Sequence, residues 1–244
     1  MLQKTQAIIL LKQNYKENEM ILTTYTKFAG RISFILYGAS SKKGGKRQAF
    51  LQPLSLVEIE ADIRTNRDLQ VIKSITNEQP LNDILSDPYK NTTALFLAEF
   101  VSKALKASMQ DEIMFQYLHD SVVYLNLCDR KCVSNFHIAF LVRLSVFIGL
   151  TPNLGPANHA NTYFDLKQSE YIRYAGKNSQ VISPAEQNFL RQLLRINYRN
   201  MNKFHFSRNE RANLLNRIIE YYQLHAQGFG NLKTLDVLHA VFDA

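Results

Sequence analysis

Four cationic side chains surround a pair of glycines in one short stretch of the chain. Lys42, Lys43, Lys46 and Arg47 flank Gly44-Gly45, so the charge is carried on backbone that glycine leaves conformationally free. Each cation can neutralise one phosphate and release the counterions that condense on a nucleic acid. The chemistry that these residues favour is polyanion binding, and the alternative is a soluble connection between two strands.

The composition favours the same class of partner. The 244 residues include 29 Lys and Arg against 21 Asp and Glu, which gives a net charge of +8. Residues 1–80 contain 12 basic and 7 acidic side chains, so most of the excess lies in the first third. An apolar content of 46% is typical of a globular protein. The charge favours nucleic acid above an anionic membrane as the partner.

Catalytic and metal-binding patterns are absent from the sequence. It contains no GxSxG, HExxH, P-loop or GxGxxG motif, and its six histidines are scattered. Cys128 and Cys132 have helical spacing, but zinc requires four ligands and no second cysteine pair exists. We therefore expect no catalytic residue, no metal and no cofactor.

Two cysteines cannot form a disulfide framework, which fits a reducing cytoplasm. The apolar run near the N-terminus is too short for a signal peptide, and no small-residue cleavage site follows it. The apolar stretch 136–150 is interrupted by His137, Arg143 and Ser145, so it is not expected to span a membrane. The sequence predicts a cytoplasmic protein.

The first 80 residues have the pattern of β-strands. In residues 54–63, for example, apolar side chains alternate with Glu58, Glu60 and Asp62. Five strands in so short a stretch, with one longer connection after the third, favour a small closed barrel, of which the OB-fold is the common nucleic-acid-binding example. The predicted strands are 4–13, 19–27, 30–38, 54–63 and 68–76.

After Pro80 the period of the apolar residues becomes helical. Helices are predicted at 88–109, 111–127, 135–150, 184–196, 208–226 and 232–242, and the third, apolar nearly all round, is expected to be central and buried. Residues 163–166 and 170–174 predict a short hairpin within a loop-like region. The fold class is therefore α+β, with an OB-fold domain at 1–80 and a helical domain at 81–244.

Other residues of the predicted barrel could extend a polyanion site. Arg31 lies on the third strand, and Arg64 and Arg67 occupy the turn between the last two. Aromatic side chains could stack on bases if they are exposed, although Phe34 could equally belong to the core. The aromatic candidates are Tyr15, Tyr25, Phe34 and Tyr37. In the second half, Arg191, Arg195 and Arg199 have the spacing of one helix face, which is either a second polyanion contact or a solvated surface.

Three segments resemble the RecO family of bacterial recombination mediators. They are TQAIILLKQNYKENEMILTTYTKFAGRISFILYGASSKKGGKRQAFLQPL (5–54), FHIAFLVRLSVFIGLTPNL (136–154) and YYQLHAQGFGNLKTLDVLHAVF (221–242). The resemblance covers nearly the whole chain. It implies an N-terminal OB-fold, a helical C-terminal domain and no catalytic residue. It also implies binding of single- and double-stranded DNA, annealing of complementary strands, and a location on the bacterial nucleoid.

The resemblance implies protein partners as well. These are RecR, with which RecA is loaded, and the acidic, apolar tail of single-stranded DNA-binding protein. A groove for such a tail needs cations beside apolar surface, for which Lys103, Lys106 and Arg143 are the candidates; a structural role is the alternative for Arg143. Many members carry a four-cysteine zinc element, yet residues 153–181 contain no cysteine. We expect a metal-free hairpin in its place.

Three other function classes are kept as alternatives. An OB-fold does not by itself separate RNA from DNA, so an RNA-binding translation or processing factor is the second hypothesis, which competition between matched RNA and DNA oligomers would decide. An enzyme with dispersed acids would reveal itself by turnover of a nuclease substrate with magnesium. A protein scaffold would bind its partner at high salt and ignore nucleic acid.

The cationic stretch generates a test based on salt. We expect the affinity for a single strand to fall with salt at a logarithmic slope of about −2 to −4, as for roughly three to five neutralised phosphates. Replacing Lys42, Lys43, Lys46 and Arg47 together by Ala should flatten this slope in a fluorescence titration. An unchanged slope would remove the stretch from the DNA site.

Overall fold

The structure is a computed structural model in which the chain forms two compact units. The first unit comprises Met1–Cys128 and Asn231–Ala244, and the second comprises Asp129–Gly230. The residues that the structure describes are 2–38, 48, 50–64, 67–105, 110–152, 162–176 and 180–243. The predicted domain boundary at residue 80 stays a prediction.

Five strands of the first unit close into a barrel in the order β1-β2-β3-β5-β4. All neighbours are antiparallel except β3 and β5, which are parallel. This confirms the predicted five-stranded barrel of OB type. The strands are β1 (Leu2–Lys16), β2 (Glu19–Thr26), β3 (Gly30–Tyr37), β4 (Leu56–Asp62) and β5 (Leu69–Asn77).

Alternation of apolar and polar residues builds the barrel interior, because successive side chains of a strand point to opposite faces. Leu22, Phe34, Ile59 and Ile72 are among the residues of its buried cluster. Gly30 has a φ of 65°, a conformation that favours glycine, and so allows the tight turn between β2 and β3. The strands therefore form where the period of two predicts them.

Among the described residues of the first unit, the helices are α1 (Asn82–Ser86), α2 (Pro88–Ala104), α3 (Glu112–Leu127) and α7 (Leu235–Asp243). The Asp87 carboxylate accepts hydrogen bonds from the amides of Tyr89 and Lys90, which fixes the start of α2. Helix α2 packs against β1. Helix α1 was not predicted. It is five residues long, and the Asn126 side chain holds its first turn by accepting from the amides of Asp83 and Ile84.

The second unit contains the remaining helices around three short strands. Its elements are α4 (Arg130–Phe147), β6 (Tyr163–Asp165), β7 (Glu170–Ile172), β8 (Val181–Ile182), α5 (Pro184–Leu193), a 3₁₀ helix (Met201–Lys203) and α6 (Arg208–His225). The predicted hairpin is confirmed, since β6 and β7 pair antiparallel, and β8 adds to its other edge. The described helices include no segment long and apolar enough to cross a membrane.

The helices of the second unit start at side-chain caps. Helix α4 is mostly buried, as predicted, but begins at Arg130 because the Asp129 carboxylate accepts from the Cys132 amide at 2.9 Å. Ser207 and Glu210 form a capping box at the start of α6, where a helix is predicted from residue 208. The predicted ridge of three arginines is wrong, because α5 ends at Leu193 and places Arg195 and Arg199 beyond it.

Within the first unit, a buried carboxylate on α2 joins this helix to the segment that leads into α7. Glu99 of α2 accepts hydrogen bonds from the amides of Lys233 (3.0 Å) and Thr234 (2.9 Å) and from the Thr234 hydroxyl (2.7 Å), immediately before α7. Burial alone would raise the pKa of Glu99, but these hydrogen bonds and the charge of Lys103 outweigh it and lower the pKa. Glu99 in its ionised form therefore caps α7.

This contact predicts a pH-dependent loss of stability in the variant Glu99→Gln. A carboxylate whose pKa is lower in the folded than in the unfolded chain contributes stability above its ordinary pKa, and the contribution is lost as the pH falls. At pH 7 the variant should lose about 1–3 kcal/mol in the free energy of unfolding, measured by urea denaturation. The loss should shrink below about pH 4.

Glu112→Gln is the matched control for this measurement. Glu112 is exposed and lies 3.0 Å from Lys27, and an exposed ion pair contributes about 0–1 kcal/mol. Equal stability of wild type and Glu99→Gln at pH 7 would contradict the assignment.

Candidate nucleic-acid interface

One face of the barrel points away from its core on strands β2 and β3. The pairs Thr23–Ser33 and Ile21–Ile35 lie opposite each other on these strands, and Ile35 pairs in turn with Val71 of β5. Tyr37 ends this row and is 51% exposed. In OB-folds this face and the β1–β2 and β4–β5 loops bind oligonucleotides. We call the residues Ile21, Thr23, Arg31, Ser33, Ile35 and Tyr37 the outer β2–β3 face. Ile35 of this row is buried, as is Tyr25, which lies opposite Arg31, so the accessible part of the face is its end at Tyr37.

Two of the four candidate stacking residues do not meet the condition of exposure, and for Phe34 the alternative, a place in the core, is confirmed. Tyr25 and Phe34 are 0% exposed, because Phe34 points into the barrel core and Tyr25 is covered as well. Tyr15 and Tyr37 are more than half exposed, at 56% and 51%. The Lys16 ammonium lies 5.4 Å from the centre of the Tyr15 ring. The aromatic surface available for stacking therefore lies around the β1–β2 turn and the end of β3.

Arg31 lies on β3 opposite Tyr25 and is half-buried. Burial lowers the pKa of its guanidinium, although arginine keeps its charge at any physiological pH. Its Nε is buried and has no hydrogen-bond partner among the described residues. A buried cationic donor without a partner is costly, so an anion reaching this side chain would be stabilised.

The two arginines of the β4–β5 loop differ in what they bind. Arg64 donates from Nε (2.8 Å) to Asp62 and its terminal nitrogen lies 2.6 Å from the same carboxylate oxygen. Arg67 is exposed and forms no ion pair with another described residue. Arg67 is therefore the more available of the two cations.

Gln70 fixes the backbone of this loop. The Gln70 side chain accepts from the Arg64 amide at 2.9 Å and donates to the carbonyls of Arg64 and Arg67. It is buried at the start of β5. This role was not predicted from the sequence. The pattern that could have indicated it is a single amide side chain at a position of β5 that points into the apolar core.

The predicted cationic stretch, with Lys42, Lys43, Lys46 and Arg47, lies outside the described residues. Both flanks are described. The Gly38 amide donates to the Asn18 carbonyl at 2.8 Å, which joins the end of β3 to the β1–β2 turn. Gly38, the described residue before the stretch, therefore lies at the end of the barrel that carries Tyr37.

The opposite side of the barrel is acidic and ion-paired. Glu58, Glu60 and Asp62 point outward from β4, and Lys4 lies 3.0 Å from the Glu58 carboxylate. The Ser74 hydroxyl donates to Glu60 at 3.0 Å. Carboxylates repel phosphate, so a polyanion is favoured on the outer β2–β3 face over the β4 side.

The predicted partner residues do not fall in one described unit. Lys103 belongs to the first unit, where its ammonium lies 3.6 Å from Glu99 and donates to the Asn231 carbonyl. Lys106 lies outside the described residues. Arg143 belongs to the second unit and is exposed, with its guanidinium 5.2 Å from the centre of the Phe147 ring. Arg143 is the one of the three that combines an exposed cation with apolar surface.

The described part of the chain holds no cluster of three or more potential metal ligands. Cys128 and Cys132 are both buried and reduced. A histidine–carboxylate pair occurs where His119 Nε2 lies 3.1 Å from Glu78, whose same oxygen accepts from Gln6 at 2.7 Å. No hydroxyl or thiol nucleophile contacts this pair among the described residues. The arrangement of the barrel suits binding.

Comparison with known proteins agrees with this geometry. The profile of the family "Recombination protein O N terminal" matches residues 1–80, and that of "Recombination protein O C terminal" matches residues 85–236. A DNA repair protein RecO of Bacteroides fragilis is 41% identical over 244 residues and covers 100% of both chains. Those of Phocaeicola vulgatus and Azobacteroides pseudotrichonymphae are 38% and 37% identical over 242 and 243 residues.

The relatives of Phocaeicola and Azobacteroides cover 99% and 100% of this chain and 100% of their own length. The match therefore spans both halves of the molecule, from the barrel to the closing helices. RecO proteins are recombination mediators and not enzymes. The chain belongs to the RecO family of bacterial DNA repair and recombination proteins.

Proposed function

We propose that the barrel binds single- and double-stranded DNA along the outer β2–β3 face and anneals complementary strands. The proposal rests on one observation: the two sides of the barrel differ in charge and in exposed aromatic surface. Its β2–β3 side ends in the exposed Tyr37 and in the flank of the cationic stretch, whereas the β4 side presents carboxylates. A single strand can therefore lie with its phosphates near Arg31 and Arg67 and a base on Tyr37.

Annealing requires that two phosphate backbones approach each other. Cations that release condensed counterions reduce the repulsion between the strands, and this step breaks no covalent bond. Arg67 and the residues Lys42, Lys43, Lys46 and Arg47 are the candidates for this role. Stacking tolerates every base, which suits the task, since annealing must accept any sequence.

We propose further that the helical domain predicted at 81–244 recruits strands coated with single-stranded DNA-binding protein. The acidic, apolar tail of that protein would be recognised by a cation beside apolar surface, as at Arg143 and Phe147 with the half-exposed Val146. Cooperation with RecR in loading RecA, and a cytoplasmic location on the nucleoid, are the expectations that accompany this role in the family.

Tyr37 gives a prediction that separates stacking from charge. Tyr37→Ala should weaken single-strand binding by about 1–3 kcal/mol, because a base–aromatic stack is lost, and leave the salt slope unchanged. Fluorescence anisotropy over a series of salt concentrations measures both quantities. The control is Tyr174→Ala, which removes a tyrosine that is 86% exposed in the second unit. Equal loss in the two variants would contradict the assignment.

An annealing assay tests the proposed function as a whole. Complementary strands coated with single-stranded DNA-binding protein should pair faster when the chain is added, and removal of the last residues of the coating protein should abolish most of the gain. Arg143→Ala should reproduce that loss on coated strands and leave naked strands unaffected. Arg173→Ala, which removes an exposed arginine of the same unit, is the matched control. Unchanged pairing rates on both substrates would contradict the proposal.

A further inference from the structure

The connection between α5 and α6 in the second unit carries a group of exposed cations. We call this connection, residues 194–207, the arginine loop; it includes the 3₁₀ helix. Between Glu186 and Glu210 the sequence contains five Lys or Arg and no Asp or Glu. Arg195, Arg199 and Lys203 lie within the loop and are exposed, and none of them forms an ion pair with another described residue. Their charge is therefore available to a ligand.

The second unit as a whole is also cationic. Residues 129–230 contain 13 Lys and Arg against 6 Asp and Glu. The net charge of the whole chain conceals this excess, because residues 81–128 and 231–244 contain 4 basic and 8 acidic side chains. The field around the second unit therefore attracts a polyanion.

A buried amide fixes the second half of the arginine loop. The Asn135 side chain of α4 is 4% exposed and donates to the carbonyls of Met201 (3.0 Å) and Phe204 (2.8 Å). Its oxygen accepts from Nε of Arg211 at 3.2 Å, and Arg211 also donates to the Phe206 carbonyl at 3.1 Å. Because the backbone is held in one conformation, less conformational entropy is lost when a ligand binds it.

Two further amides fix the first half of the loop. The side chains of Asn197 and Asn200 both donate to the Arg195 carbonyl, at 3.2 and 2.9 Å. The Arg199 amide donates to the Asn197 side chain at 2.9 Å. Arg195 and Arg199 therefore extend from an ordered backbone. The planar guanidinium of arginine can form two parallel hydrogen bonds to a phosphate.

The aromatic rings of the loop pack against other rings. Tyr198 stacks on Phe136 of α4, with ring centres 5.2 Å apart and an angle of 7° between the planes. The rings of Phe204 and Phe206 lie 5.7 Å from each other. None of the three loop aromatics is exposed, in contrast with Tyr37 of the barrel. The loop therefore presents cations without a free ring on which an unpaired base could stack.

This combination favours a double strand over the other polyanions. A duplex keeps its bases stacked inside and presents phosphates outside, so its backbone is bound by cations without stacking. An acidic peptide would need an exposed apolar anchor, and no exposed large apolar side chain lies in the loop.

We propose that the arginine loop binds the phosphate backbone of double-stranded DNA, as a second site in addition to the barrel. Arg195, Arg199 and Lys203 each contact a phosphate, and the ordered backbone keeps them in place. The inference rests on the proposed function, because a duplex is the product of annealing. It goes further by giving that product a binding surface of its own on the second unit.

The test is a triple variant, Arg195→Ala, Arg199→Ala and Lys203→Ala, titrated with a short blunt duplex over a series of salt concentrations. Each lost phosphate contact lowers the logarithmic salt slope by about 0.9, so the slope for the duplex should become shallower by about 2–3. The slope and affinity for a single strand should stay unchanged. Fluorescence anisotropy measures both, and thermal unfolding checks that the variant folds.

The matched control is Lys131→Ala, Lys167→Ala and Arg173→Ala, which removes the same charge from exposed positions of the second unit. It should leave the duplex slope unchanged. An equal fall of the slope in this control, an unchanged slope in the loop variant, or displacement of the duplex by poly-glutamate as readily as by a second duplex would overturn the inference. Each of these results leaves the proposed function standing. Failure of the wild type to bind either single strand or duplex would overturn the proposed function itself.

Discussion

Strand β1 is the constraint on which the barrel depends, because it is hydrogen-bonded along both edges. Its first half pairs with β4 from Leu2 to Ile8, and its second half pairs with β2 from Ala7 to Lys16.

The β1–β2 register shifts between Ile9 and Leu11, an irregularity that bends a strand. Where β1 changes partners, Ile9 bonds instead to the backbone of Leu54 (2.7 Å) and Ser55 (3.0 Å). Leu54 is held there at a φ of 62°, a conformation that costs a non-glycine residue about 1–2 kcal/mol.

Closure of the barrel decides which surfaces are available. Helix α2 packs against β1. The middle of that strand is therefore buried on both faces, the inner one in the barrel core and the outer one under the helix. The outside of β4 is acidic and ion-paired with Lys4. The outer β2–β3 face keeps its exposed tyrosine and a half-buried arginine. The same constraint that builds the core thus separates the face that we propose for phosphate binding from the acidic face of β4.

Much of this architecture could be predicted from the sequence, because it follows from periodicity. The alternation in residues 54–63 identifies β4, and the Ser207–Glu210 box identifies the start of α6. Burial of Tyr25 could not be predicted from the alternation, since Tyr25 is not on the face of β2 that carries Met20 and Leu22 into the barrel core. Helix α1 and strand β8 are too short for a periodic signal.

The central claim is that the barrel of the first unit, and not the second unit, binds the single strand. Photochemical crosslinking of a single strand that carries iodinated bases, followed by mass spectrometry of the peptides, tests it most directly. The account predicts crosslinked peptides within residues 1–80, on the β2–β3 side. Crosslinks confined to Asp129–Gly230 would contradict it.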